Sequence, residues 1–188
     1  MSTTSAPFGL APDYHPSGVT RPTMYSILTG YAANILQNQP VKIQASSTGE
    51  GTIIPADIGD AFIGTFQGVE WTDSDGRRRV SNKWTASTAG TQINAYVTLD
   101  PAIVYQIQAN ATLDETSIGR QYNTTAITAG NTTVGLSQLM LDVASSTTNA
   151  QLRIIGLTPG PDNAWGDAFP IVQVQISLHQ NVANIAAY

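Results

Sequence analysis

The sequence predicts an all-β fold: a compact barrel, tulip-like or sandwich body with an extended N-terminal arm and little helix. Three observations predict it. Val172, Val174, Ile176 and Leu178 alternate with Gln173, Gln175 and Ser177, the period of two of a strand with one buried and one polar face. Short runs rich in β-branched and aromatic residues recur along the chain between clusters of Gly, Asn, Asp and Ser. Only residues 24–37 and 180–188 admit a helix, and the first is weakened by Gly30 and has no convincing cap.

Residues 1–23 read as the arm and residues 24–188 as a single β-rich domain. The arm holds Pro7, Pro12, Pro16 and Pro22, and proline disfavours helix at itself and at the preceding residue. It also carries Phe8, Leu10 and Tyr14, apolar groups suited to a neighbour's surface; a loose terminus is the plainer alternative. Strands follow at 40–44 and at 61–71, where Gly64 and Gly68 mark bulges or a close approach of another backbone. Asp73, Ser74, Asp75 and Gly76 supply a turn, and 77–84 returns as the second strand of a hairpin. Further strands are expected at 92–99, 103–109, 136–143, 151–157 and 172–178. The small polar stretches 124–133 and 144–150 read as loops.

Of 188 residues, 11% are charged, less than half of the roughly 25% usual in soluble domains. Polarity comes instead from 23 Thr, 14 Ser, 13 Gln and 11 Asn. Interfaces are depleted in Lys, Glu and Asp, so such a surface suits a chain packed against others, although a merely neutral β-protein has it too. Eight basic against 13 acidic residues, net −5, oppose nucleic-acid binding, which needs a basic face. No apolar run approaches the roughly 20 residues of a membrane-spanning helix. Residues 1–7 lack the basic and apolar regions of a secretory leader, so none is expected. Without cysteine there is no disulfide framework, thiolate metal site or Cys nucleophile.

The catalytic inventory is thin, and no cofactor, metal or enzyme activity is expected. His15 and His179 stand far apart without metal-ligand spacing, and no Gly-x-Ser-x-Gly elbow or phosphate loop occurs. Asp73 to Gly76 superficially looks like a calcium loop but lacks the first and twelfth ligand positions. Glu70 with Asp73 or Asp75 could form a glycosidase carboxylate pair, yet acids beside a turn ordinarily just face water. In the only basic run, Arg77 and Arg79 share one strand face and Arg78 takes the other. These arginines suit ion pairs with acids of the same hairpin or contacts with a neighbouring subunit. The sequons at Asn110, Asn123 and Asn131 read as chance matches in a Thr-rich chain. Residues 161–167 read as a loop folded around a buried Trp165, with a ligand-binding loop as the alternative.

Several segments in order carry a resemblance: Tyr14 to Gly18, Thr29 to Ala32 with Pro40 to Lys42, Gly59 to Glu70, Ser81 to Trp84, Asp100 to Tyr105 and Pro161 to Asp167. Over residues 14–180 the chain resembles the capsid cement, or head decoration, proteins of tailed bacteriophages. Asn38 departs from the glycine that relatives tend to have before the Pro-Val pair, and Asn also tolerates the left-handed conformation. The resemblance implies a structural, non-enzymatic protein on the outer surface of the virion capsid. There it would clamp neighbouring capsomers of the major capsid protein as a homotrimer, with a dimer as second choice. Neither nucleic acid nor membrane is an implied partner. The contacts expected for capsid or neighbouring subunit are Phe8, Leu10, Tyr14, Arg77 and Arg79. The alternative is a receptor- or carbohydrate-binding β-module of a fibre or spike, using Trp71, Trp84 and Trp165.

Overall fold

A computed structural model describes residues 2–45, 49, 51–126 and 130–183. It is built from short strands: β1 (Ala11–Tyr14), β2 (Thr23–Tyr25), β3 (Gln39–Ile43), β4 (Ile53–Pro55), β5 (Gly64–Thr72), β6 (Arg78–Ser81) and β7 (Thr91–Thr98). There follow β8 (Val104–Gln108), β9 (Gln121–Tyr122), β10 (Gly130–Asn131), β11 (Leu136–Ser137), β12 (Leu152–Leu157) and β13 (Ile171–Ile176). Two single 3₁₀ turns, Glu115–Ser117 and Val143–Ser145, are the helical content among the described residues.

Every strand pair is antiparallel. One sheet runs β1-β8-β13-β12-β9, a second runs β2-β7-β5-β3-β4 with β6 beside the far half of β5, and β10 pairs with β11. The sheets stay open, so the closed barrel is not the form adopted. Proline explains part of this: Pro12 lies in the edge strand β1 and Pro55 ends the edge strand β4, places where a missing N–H leaves no inner ladder broken.

Each large sheet lays its apolar face on its own core. In β13 the alternation holds, with Val172, Val174 and Ile176 buried and the intervening residues half-exposed. They join Leu10, Phe62, Tyr105, Leu139, Leu152 and others in the first core. The second core gathers Ile35, Val41, Ile53, Ile63, Phe66, Trp84 and Val97. Phe62 and Ile63 are consecutive, fully buried and belong to different cores, so one peptide unit rivets the two together. Polar ties cross the same seam. The Tyr105 hydroxyl donates to Thr98 O at 2.9 Å, and Gln151 Nε2 donates to Asp57 O at 2.8 Å and Asp60 O at 3.0 Å.

Three expectations need correction. Residues 24–37 form no helix: the stretch opens as β2, pairs with β7, and touches Trp84 through an isolated bridge at Ile35. The strand expected over 136–143 stops at Ser137, because Leu141 bridges to Ala109 and Thr124 and Asp142 then caps a 3₁₀ turn by accepting from Ala144 N. Leu10 is fully buried in the first core of its own chain and so is no surface contact as the chain is folded here. Of the helix considered at 180–188, residues 184–188 lie outside the described residues, and Gln180 and Asn181 form a turn.

Candidate functional site

The β5–β6 hairpin is exposed from Ser74 to Val80. Asp73 builds its turn: Oδ1 accepts the N–H groups of Asp75 and Arg77, each at 3.0 Å, and Oδ2 accepts Arg79 Nε at 2.6 Å. Arg79 foremost, then the Arg77 amide, holds this carboxyl below its ordinary pKa. One strand pair along, Glu70 Oε1 accepts Asn94 Nδ2 at 3.0 Å and pairs with Arg78 at 2.5 Å. Asn94 first, then Arg78 and the Tyr96 hydroxyl, lower the Glu70 pKa, and the same contact raises that of Tyr96. Arg78 also donates to Gln92 O at 2.9 Å.

Two of the three arginines are thus neutralised at home. The exposed Arg77 guanidinium has no ion-pair partner among the described residues. Beyond it Val80 is 77% exposed, on a strand that pairs with β5 alone. The chemistry of the turn is that of a stiffened hairpin. Asp73 takes backbone amides rather than a metal, and no cluster able to hold one occurs among the described residues. A glycosidase acid needs a raised pKa, whereas Glu70 and Asp73 are both lowered.

The second site is the arm, held mainly through its backbone. Gln108, 2% exposed, accepts Ala6 N at 2.8 Å through Oε1 and donates from Nε2 to Thr4 O at 3.0 Å. Asn38 donates from Nδ2 to Phe8 O at 3.0 Å, and its own carbonyl accepts Leu10 N at 2.9 Å. Between them Gly9 lies so close that a Cβ there would stand 2.7 Å from Asn38 O. At the start, Asp167 Oδ2 accepts Ser2 N at 2.7 Å, and Phe169 N donates to Ser2 O at 3.0 Å. The amides of Ser2, foremost, and Ala164 lower the Asp167 pKa. β1 then extends the first sheet by pairing with β8.

After β1 the chain turns at His15, whose Nε2 lies 3.3 Å from Asp100 Oδ2 and whose Nδ1 is 2.5 Å from Ser17 Oγ. The trio has the groups of a hydrolase, but Nδ1 also accepts Ser17 N at 3.0 Å, and Gly18 N donates to His15 O at 2.8 Å. The amides of Ser17 and Gly18 are engaged in the turn, so the imidazole acts there as a local cap.

No family model, curated protein or solved structure matches this chain. The expected contact residues therefore stand on geometry alone. Tyr14 is 45% exposed and Arg77 is exposed, Phe8 is half-buried beneath the arm's carbonyl tie, and Arg79 is bound to Asp73. The three tryptophans form no common platform. Trp84 is fully buried and meets Trp71 edge-on at 5.8 Å, whereas Trp165 packs on the first core. Sequence reading missed Gln108 and Asn38 as holders of the arm and Val80 as an exposed apolar group. A Val flanked by Arg79 and Ser81 on a short edge strand was the available signal for the last.

Proposed function

We propose that this chain is a capsid cement protein that lies on the outer surface of a phage head and clamps neighbouring capsomers of the major capsid protein. The ordered segments between Tyr14 and Asp167 motivate that assignment, and a homotrimer is its expected form, a dimer the second. The observation that carries it is the β5–β6 hairpin, an exposed element that pairs Glu70 and Asp73 with Arg78 and Arg79. It leaves Val80 open to solvent and the Arg77 guanidinium without an ion-pair partner among the described residues. Such a surface adheres without turning over a substrate. Arginine is enriched among the residues that dominate interface energies, and Val80 adds an exposed apolar side chain on the same hairpin.

Val80→Thr with Arg77→Ala tests it, since neither change sets a new carboxylate against Glu70 or Asp73. Both side chains are exposed, so the variant should melt within a degree or two of the parent. Binding to emptied, expanded capsids, measured by co-sedimentation, should weaken by roughly tenfold or more, equivalent to about 1.4 kcal/mol, and the heat stabilisation of those capsids should fall with it. Undiminished binding by the folded variant would remove the hairpin from the contact. If the parent chain also ignored capsids, the cement assignment would go with it.

A further inference from the structure

The arm is seated in a groove that reads like a receptor for an extended peptide. Gln108 and Asn38, 2% and 9% exposed, are amides aimed at the arm's backbone; β8 offers it a sheet edge, and Leu10 fills a place in the first core. Without a Leu10 in that place the core would have a hole. The groove recognises main-chain groups, one leucine and two polar side chains: Ser2, whose Oγ donates to Phe169 O, and Asp13, which accepts from Gln173 Nε2. Nothing in that recognition depends on which copy of the chain supplies them.

The tether to the body is a different kind of segment. Residues 16–22 are all exposed, and they include Pro16 and Pro22. Proline biases itself and its predecessor toward extended backbone. Here the tether instead reverses at the His15–Gly18 turn, held by the Asp100 and Ser17 contacts on His15. Drawn out, eight residues from 15 to 22 reach roughly 27 Å.

We propose that copies of this chain exchange N-terminal arms: residues 2–14 of one occupy the Gln108–Asn38 groove of the next, with residues 15–22 as the crossover. An arm that leaves its own groove makes the same hydrogen bonds and buries the same leucine in its neighbour's, so exchange costs little beyond association itself. Reciprocal exchange gives a dimer and head-to-tail exchange closes a ring. The inference rests on how the arm is seated and holds whether or not the chain binds a capsid.

Because the chain has no cysteine, engineered ones report cleanly. Ala11 and Gln106 face each other across the β1–β8 pair. Full-length Ala11→Cys and full-length Gln106→Cys, each carrying a single thiol, are mixed, warmed, cooled and mildly oxidised. The expected product is a species of twice the 19.9 kDa chain mass. Peptide mapping should join position 11 of one chain to position 106 of the other, at least tenfold above background from either variant alone. The double variant, held dilute, should close the same bond within one chain, which shows that the arm is seated normally. If the double variant closes but the mixture gives no 11–106 link, the arm stays at home and the proposal fails. Light scattering of the unaltered chain is the second measurement. Multiples of 19.9 kDa that form on warming at high concentration should persist after dilution, and an immediate return to 19.9 kDa overturns exchange.

Discussion

Asn38 holds a backbone φ of +62° at the entry to β3, the left-handed conformation that its place before Gln39 and the Pro-Val pair suggested. That expectation came from the glycine that the resembled family tends to have at this place, and Asn tolerates the same region. Its second task was not legible. The side chain reaches to Phe8 O, 30 positions away, and no local pattern announces a tertiary hydrogen bond. Gln108 was hidden for the same reason: in sequence it is one more glutamine on a strand, and only burial gives its amide a role. Gly64 was legible as a close approach of backbones, and the geometry is severe, with an added Cβ landing 1.8 Å from Thr98 O. The obstacle is main chain at the β5–β7 pair, which cannot swing aside as a side chain can. Gly64→Ala should therefore cost about 3 kcal/mol or more, read as a lowered denaturant midpoint. A loss below 1 kcal/mol would mean that β5 and β7 move apart more readily than their long ladder indicates.

Among elements, the longer strands read from sequence, β5, β7, β8, β12 and β13, each bury two or more residues. β7 and β13 do so by alternation and β5 and β8 on both faces, and the shorter β3 and β6 were legible too. Those missed, β1, β2, β4, β9 and β10, have two to four residues each, and their extended form comes from the partner that they pair with. The hairpin was legible as an element, and its pairing of arginines with its own acids followed from their proximity. It should also be sensitive to acid. Asp73 and Glu70 have depressed pKa values in the folded chain, so each stabilises fully above its unfolded value and loses that contribution as pH falls through the folded one. At neutral pH, Asp73→Asn should melt below the parent. The gap between their melting temperatures should shrink as pH drops below about 4 and vanish once the parent carboxyl is protonated. A gap that stays constant from pH 7 to pH 2.5 would show that Asp73 acts by shape alone. Asp167 belongs to the same class, so the first anchor of the arm should loosen over the same acid range.

At the scale of the molecule, the all-β class was legible because period-two patterning is a property of sequence, whereas the open sheets and paired cores were not. Which strand neighbours which is decided by edges and long-range contacts. Two cores could in principle melt separately, but the Phe62–Ile63 step and the Tyr105 and Gln151 ties bind them. Native-state hydrogen exchange should therefore give the amides of β13 in the first sheet and β7 in the second the same opening free energy. Two distinct values would mean that the seam yields before either core. A pull that parts the sheets is borne at that seam by a shear pin one peptide long. Because neither side chain can leave its socket without dragging on the other, the molecule has little slack to give. Its response to load is that of a brittle tile, holding its outline until it fails all at once.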